Sequence, residues 1–197
     1  MIVFTSDHGD YLGDHWLGEK EMLHECSVRV PMIVYDPSPE ADVTRGTVSD
    51  ALVESIDLLP TFVDMAGGTP RYEWLEGRSL MPLIRGETPS DWRKYTISEY
   101  DFSITPMAGR LDLAPKDARL FMVCDERWKF MHAEGDFPPM LFDLHNDPDE
   151  LVDLGRNPEF EGVVNDCYDK LYEWSLRVSQ RTTISDQQLQ ERRGKTR

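Results

Sequence analysis

The chain has 197 residues and carries 21 basic against 37 acidic side chains, which gives it a formal net charge of −16. Such an acidic chain is poorly suited to nonspecific binding of nucleic acid or of an anionic membrane surface. No apolar run is long enough to cross a bilayer, and the three cysteines form no disulfide framework by their spacing. We therefore expect no nucleic-acid partner, no membrane partner and a cytoplasmic location.

The chain opens with an apolar run, Met1–Phe4, that predicts a buried strand. Asp7 and His8 follow this run, at the end of the strand where open α/β sheets place ligands. A carboxylate beside a neutral imidazole is suited to binding a divalent metal ion. Gly9 is expected to turn the backbone tightly, so that both side chains converge on one point. The alternative is a simple strand-to-turn junction, in which Asp7 caps the next segment and His8 lies on the surface.

The rest of residues 1–90 is interpreted as the closing segment of a large α/β layer. Its predicted elements are a short helix near Glu21–Cys26, a strand over Val30–Tyr35, a helix over Ile56–Ala66 and a loop with a short turn over Gly77–Gly86. Gly67 directly follows the second helix and is typical of a helix C-cap.

Residues 91–181 are predicted to form a smaller second unit. Short strand candidates separated by turn residues indicate an antiparallel sheet, and they are Tyr95–Tyr100, Arg119–Cys124, Trp128–His132 and Met140–Leu144. Asn157 and Pro158 predict the start of a helix whose apolar residues, from Phe160 to Val178, recur at helical spacing. That helix is expected to pack on the sheet. The polar tail, residues 182–197, is expected to be disordered or docked on a neighbouring subunit.

Several blocks of the sequence resemble one known family, the sulfatases and phosphonate monoester hydrolases of the alkaline phosphatase superfamily. Its second metal-binding motif is matched by Thr5–Gly9 followed by Gly13, His15 and Lys20. The resemblance continues in family order through Arg29–Val34, Ile56–Thr61, Gly77–Leu80, Leu141–Leu144 and Asn146–Glu150. It implies an α/β fold that is the C-terminal portion of an alkaline-phosphatase-like fold: the end of a large mixed sheet, and a small antiparallel sheet backed by a C-terminal helix. The stretch Tyr11–Lys20 looks closest to the phosphonate monoester hydrolases.

The resemblance also implies roles for particular residues. Asp7 and His8 match ligands of one divalent metal ion, which could be manganese, calcium, zinc or iron. Lys20 matches the lysine that contacts the non-bridging oxygens of the ester, and it is expected to stabilise charge that grows toward the transition state. His15 is a candidate catalytic residue, with support of a metal ligand as the other reading.

The family nucleophile is a cysteine converted to formylglycine within a Cys-x-Pro/Ala-x-Arg signature. Cys26, Cys124 and Cys167 are not followed by this signature. We therefore interpret the chain as the C-terminal part of a longer enzyme, with the formylglycine in the missing N-terminal part. On its own the chain is expected to be inactive.

The activity implied for the whole enzyme is metal-dependent hydrolysis of sulfate esters, or of phosphonate and phosphate mono- and diesters. Its partner would be a small anionic ester substrate, and the full-length enzyme is expected to be a homo-oligomer. Two alternatives stay open. One is a non-catalytic fragment or oligomerisation module, and the other is a different superfamily member, such as a phosphodiesterase or phosphomutase.

Other charged residues are interpreted as structural. His24, His132 and His145 have no partner motif, and Asp147–Glu150 is interpreted as a turn before the last helix. Glu25 and Arg29 lie four residues apart and predict an ion pair, which either braces the preceding loop or is a plain surface pair.

Overall fold

The computed structural model describes residues 1–20 and 22–177. By its contacts the chain divides into two compact units. One contains residues 1–2 and 34–92 together with the last described residues from 173 onward, and the other contains residues 3–33 and 93–172. The division predicted at residues 90 and 181 stays a prediction, and the predicted tail, residues 182–197, lies outside the described residues. Within the described part of the chain, every helix is too short or too polar to cross a membrane.

The strands form two sheets. A two-stranded sheet pairs β1 (Ile2–Thr5) with β2 (Met32–Tyr35), and a four-stranded antiparallel sheet has the order β3 (Thr96–Asp101), β4 (Arg119–Cys124), β5 (Trp128–Ala133) and β6 (Met140–Asp143). Each predicted strand of the second sheet is confirmed to within one residue at either end. The register places Met122 of β4 opposite Ser98 of β3 and Met131 of β5.

The helices are α1 (Glu25–Val28), α2 (Leu58–Met65), α3 (Met81–Ile84), α4 (Pro106–Arg110) and α5 (Glu161–Arg177). Helix α2 confirms the prediction, including the end at Gly67, which has a φ of 76°. The short helix expected near Glu21–Cys26 begins later, at α1. Before α5, the Asn157 side chain accepts a hydrogen bond from the Glu159 backbone N–H at 3.1 Å, as expected of an N-cap.

Strand β1 forms as predicted but is not buried as predicted. Ile2 and Phe4 are 66% and 62% exposed, and on β2 Ile33 is 60% exposed. Among the described residues β1 pairs with β2, and the side chains that point to this face meet no covering layer there. An apolar run predicts strand conformation from its own residues, whereas burial depends on what packs against the strand.

The four-stranded sheet is buried on both faces. One face packs on α5 through Val123, Phe130, Leu141, Val164 and Cys167. The other face packs on the segment before α1 through Leu23, Leu120, Met122, Cys124, Met131 and Phe142. Successive side chains of a strand point to opposite faces, so burial on both faces explains why β4 is apolar from Leu120 to Cys124.

A buried ion group lies where the segment before β2 meets this sheet. Lys129 of β5 is fully buried, and its Nζ lies 2.6 Å from Glu25 Oε1 and 3.1 Å from Glu150 Oε1. The second oxygen of Glu150 accepts a hydrogen bond from the Glu25 backbone N–H at 2.5 Å. The three residues come from α1, β5 and the loop after β6. Together they hold α1 against the four-stranded sheet.

Replacing Lys129 by Met should therefore destabilise the protein by about 3–5 kcal/mol at neutral pH, because it leaves the buried carboxylate of Glu150 and the partly buried one of Glu25 without their cation. Burial already raises the pKa of Glu150 above its ordinary value of 4.5, and Lys129 opposes that rise. Without Lys129 the pKa of Glu150 rises further. A raised carboxyl pKa means that the folded state binds the proton more readily than the unfolded state, so the variant regains stability as the pH falls toward 4.5.

Chemical denaturation of the wild type and of Lys129→Met at several pH values measures this difference. Lys116→Met is the control, because the Lys116 side chain is 83% exposed and its replacement should change the free energy of unfolding little. A Lys129→Met loss that stays constant between pH 7 and pH 5 would show that the buried carboxylates do not cause it.

Candidate active site

Asp7 and His8 directly follow β1, and their side chains lie together. His8 Nδ1 is 2.6 Å from the Gly9 carbonyl oxygen, so this nitrogen carries the proton and donates it. The assignment leaves a lone pair on His8 Nε2, which lies 3.5 Å from Asp7 Oδ2. The other oxygen of Asp7 accepts a hydrogen bond from the His8 backbone N–H at 3.1 Å. Both groups are therefore presented as electron-pair donors on the same side of the loop.

Lys20 joins this pair from twelve residues further along the chain. Its Nζ lies 2.7 Å from His8 Nε2 and donates a hydrogen bond to it. Backbone hydrogen bonding, aided by the nearby His8 and Lys20, holds the pKa of Asp7 below its ordinary value of 3.8. Asp7 is thus a carboxylate at neutral pH. The structure brings together three of the four residues that the sequence suggested, namely Asp7, His8 and Lys20.

His15 is the fourth residue. Its ring packs with the rings of Tyr11 and His24. Its ring stacks on His24 with a centroid distance of 4.1 Å and meets the edge of Tyr11 at 6.1 Å. The Tyr11 hydroxyl lies 2.8 Å from His24 Nδ1. Burial, and secondly the nearby charges of His15 and Lys129, lower the pKa of His24 to about 4, so its ring is neutral at physiological pH. The contacts of His15 among the described residues are those of a packing residue.

Glycine is required at position 9 for a different reason from the one predicted. It does not adopt a left-handed backbone, so a tight turn does not require glycine here. Instead a Cβ at this position would collide with the carbonyl oxygen of Cys26 in α1. The close approach of the loop to α1 allows a hydrogen bond, in which the Gly9 backbone N–H donates to the Ser27 carbonyl oxygen at 2.7 Å. Glycine is therefore needed to let the loop after His8 touch α1.

The sequence does not predict the buried ion pairs next to this site. The turn predicted at Asp147–Glu150 does not reveal that the Glu150 side chain is 1% exposed and lies 3.1 Å from Lys129. Glu25 contacts Arg29 at 3.6 Å, but the Arg29 side chain is 81% exposed, so this pair lies at the surface and the buried partner of Glu25 is Lys129. One signal was available. A lysine inside the apolar strand Trp128–Ala133 must find a buried counter-charge.

The donor chemistry of Asp7 and His8 fits a divalent cation. An ionised carboxylate suits manganese, calcium and magnesium, and a neutral imidazole suits manganese, iron and zinc once Lys20 releases the lone pair of its Nε2. The hydrogen bond from His8 Nδ1 to a carbonyl is the usual way in which a ligating histidine is oriented. Among the described residues no three His, Cys, Asp or Glu side chains cluster closely enough to hold a metal ion. These two residues therefore supply two ligands of a larger set.

Comparison with known proteins places these features in a family. A family model described as N-sulphoglucosamine sulphohydrolase, C-terminal, matches residues 13–177. A multifunctional alkaline phosphatase superfamily protein of Trinickia caryophylli is 36% identical over 186 residues, which cover 92% of this chain and 35% of that protein. An arylsulfatase of Clostridium perfringens is 33% identical and is matched over 82% of this chain and 30% of its own length. The chain thus spans about a third of the length of these curated relatives.

Solved structures agree with the sequence relatives. The phosphonate monoester hydrolase of Silicibacter pomeroyi superposes with a TM-score of 0.81 at 31% identity, over 94% of this chain and 37% of that chain. The enzyme of the same name from Agrobacterium radiobacter gives a TM-score of 0.80 at 31% identity, over 89% of this chain and 35% of that chain. These matches confirm the α/β fold with its small antiparallel sheet and C-terminal helix. The chain belongs to the family of N-sulphoglucosamine sulphohydrolase C-terminal regions, within the sulfatases and phosphonate monoester hydrolases of the alkaline phosphatase superfamily.

Proposed function

We propose that the protein carrying this chain hydrolyses small anionic esters, either sulfate esters or phosphonate and phosphate mono- and diesters. The observation that carries the proposal is the convergence of a carboxylate, an imidazole lone pair and an ammonium group at the end of β1. Lys20 Nζ lies 2.7 Å from His8 Nε2, which in turn lies 3.5 Å from Asp7 Oδ2. Relatives named as an arylsulfatase and as phosphonate monoester hydrolases support the class of reaction.

Asp7 and His8 would hold one divalent metal ion, with further ligands from outside the described residues. When bound, such a cation neutralises charge on the ester oxygens and orients the nucleophile. The imidazole of His8 favours manganese, iron or zinc over calcium. The nucleophile, a formylglycine by family resemblance, would also come from outside this chain, because no cysteine in it is followed by the required signature.

Lys20 would bind the ester itself. An ammonium group has three N–H donors, of which one contacts His8 Nε2 in this structure and would be released when a metal takes the Nε2 lone pair. The other two are available to the non-bridging oxygens of a sulfate or phosphonate group. Negative charge grows on these oxygens toward the transition state, so a fixed ammonium stabilises the transition state more than the bound substrate. Because the chain has a net charge of −16, this local positive charge is also needed to admit an anion.

His15 would support the site through packing. Its ring covers His24, and His24 is held by Tyr11, so the three rings stiffen the loop between His8 and Lys20. A part in acid catalysis stays a prediction, as do the homo-oligomer and the cytoplasmic location.

The ester class is proposed from the relatives as a group. One solved sulfatase of 26% identity and TM-score 0.66 is described in complex with its substrate, D-glucosamine-2-N,6-O-disulfate. Phosphonate monoester hydrolases are more similar, at 31% identity. We therefore propose that an aryl phosphonate monoester and an aryl sulfate are the first two substrates to assay.

Lys20→Ala in the full-length protein should lower kcat by roughly a hundredfold or more and change KM less, because the lost contact is strongest in the transition state. Steady-state kinetics with an aryl sulfate and an aryl phosphonate monoester measure both constants. Lys116→Ala, a change at an exposed lysine, is the matched control and should leave both unchanged. Normal kinetics in Lys20→Ala would return Lys20 to the status of a surface residue.

Asp7→Ala should remove metal retention and activity together, because loss of the charged ligand leaves His8 as the sole donor from this segment. Elemental analysis after dialysis against a chelator measures the metal content. Asp10→Ala is the control, since the Asp10 carboxylate accepts a hydrogen bond from the Leu12 backbone N–H and serves the loop. Full metal content in Asp7→Ala, or its loss in Asp10→Ala alone, would contradict the proposed ligand set.

A further inference from the structure

One buried serine in α1 contacts both arms of the candidate site. One arm is the segment Asp7–Gly9, and the other is Lys20. Ser27 is 4% exposed, and its Oγ donates a hydrogen bond to the Lys20 carbonyl oxygen at 2.8 Å. Its own carbonyl oxygen accepts a hydrogen bond from the Gly9 backbone N–H at 2.7 Å. Gly9 directly follows His8. A single residue therefore joins the backbone next to His8 to the backbone of Lys20.

The loop between the two arms is held at its base by Tyr11, whose backbone N–H donates to the Glu19 carbonyl oxygen at 2.8 Å, but much of the rest is strained and exposed. Leu12, His15, Trp16 and Glu19 all have a left-handed backbone, with φ between 49° and 59°. Leu12 and Trp16 are 88% and 96% exposed, so their side chains contribute little packing. Left-handed conformations cost non-glycine residues free energy, and such a segment keeps its shape only when the structure around it imposes that shape.

Helix α1 can impose the shape of this loop because α1 is itself fixed on the four-stranded sheet. Glu25, in the first turn of α1, contacts the buried ammonium of Lys129, and its backbone N–H donates to Glu150. Ser27 lies two residues further on. The position of its hydroxyl group is therefore tied to the four-stranded sheet rather than to the exposed loop.

We propose that Ser27 is a positioning residue that sets the place of Lys20 relative to His8. The proposal rests on the proposed function in one respect, that Lys20 acts on the ester. The two contacts of Ser27 are chemically separate, since one uses its hydroxyl group and the other its backbone carbonyl group. Ser27→Ala removes the contact with Lys20 and leaves the contact with Gly9, so it releases only the Lys20 arm.

The test compares Ser27→Ala with Ser79→Ala in the full-length protein. Ser79 is also buried, at 6% exposure, and its Oγ donates to Asp64 Oδ2 at 2.7 Å in the other unit of the chain. Ser79 Oγ also accepts a hydrogen bond from the Met81 backbone N–H at 3.2 Å, so Ser79→Ala should lower Tm at least as much as Ser27→Ala does. Ser27→Ala should in addition lower kcat by roughly ten- to a hundredfold, since small misplacements of a reacting group are costly. Ser79→Ala should leave kcat unchanged.

A double variant separates positioning from general damage. If Ser27 acts through Lys20, then Ser27→Ala combined with Lys20→Ala should lower kcat no further than Lys20→Ala alone. Multiplied losses in the double variant, or equal kcat in Ser27→Ala and Ser79→Ala, would overturn the proposal.

A crystal structure of Ser27→Ala provides a readout that does not depend on activity. In the metal-free variant Lys20 Nζ should move out of hydrogen-bond distance of His8 Nε2, from which it lies 2.7 Å away in the wild-type chain, or occupy several positions. An unchanged distance would overturn the proposal. If the wild type hydrolyses neither ester, then the proposed function fails, and the crystal structure still decides whether Ser27 positions Lys20.

Discussion

The buried ammonium of Lys129 is the constraint on which the site depends. A charge without exposure to solvent must be met by counter-charges, and here Glu25 and Glu150 come from segments 125 residues apart in the sequence. Their meeting point fixes where α1 lies on the four-stranded sheet. The apolar contacts of Leu23 on the same face add the bulk of the burial, but they are not directional. The ion group is directional and therefore sets the position of α1 on the sheet.

Short polar contacts connect α1, which this ion group fixes, to the residues of the site. Helix α1 lies so close to Gly9 that no side chain fits at that position, and Ser27 contacts both Gly9 and Lys20. The loop that separates His8 from Lys20 can therefore be exposed and left-handed without loss of the site geometry. On this account the rigid part of the site is the sheet and α1, and the loop is its exposed part.

The sequence predicted what depends on neighbouring residues. The four strands of the second sheet and the C-terminal helix that follows the Asn157 cap are predictable because apolar spacing, turn residues and an N-cap are local signals. The resemblance to a family named Asp7, His8 and Lys20, which the structure brings together. Their roles as ligands and as an ester-binding group stay predictions.

What the sequence did not predict depends on distant contacts. The exposure of β1, the burial of Glu150 and the reason for glycine at position 9 each follow from a partner far along the chain. The sequence does not single out Ser27, because a single serine in a short helix forms no pattern. Its place became evident only once both of its hydrogen bonds were seen.

The most direct test of the account is a crystal structure of the full-length protein with a divalent metal and a non-hydrolysable sulfate or phosphonate analogue. Anomalous scattering locates the metal without prior assumption about its ligands. The account predicts a metal within about 2.0–2.6 Å of Asp7 and of His8 Nε2, with Lys20 Nζ donating to an oxygen of the analogue. A metal bound elsewhere, with Asp7 and His8 free of it, or an analogue that Lys20 does not contact, would contradict the account.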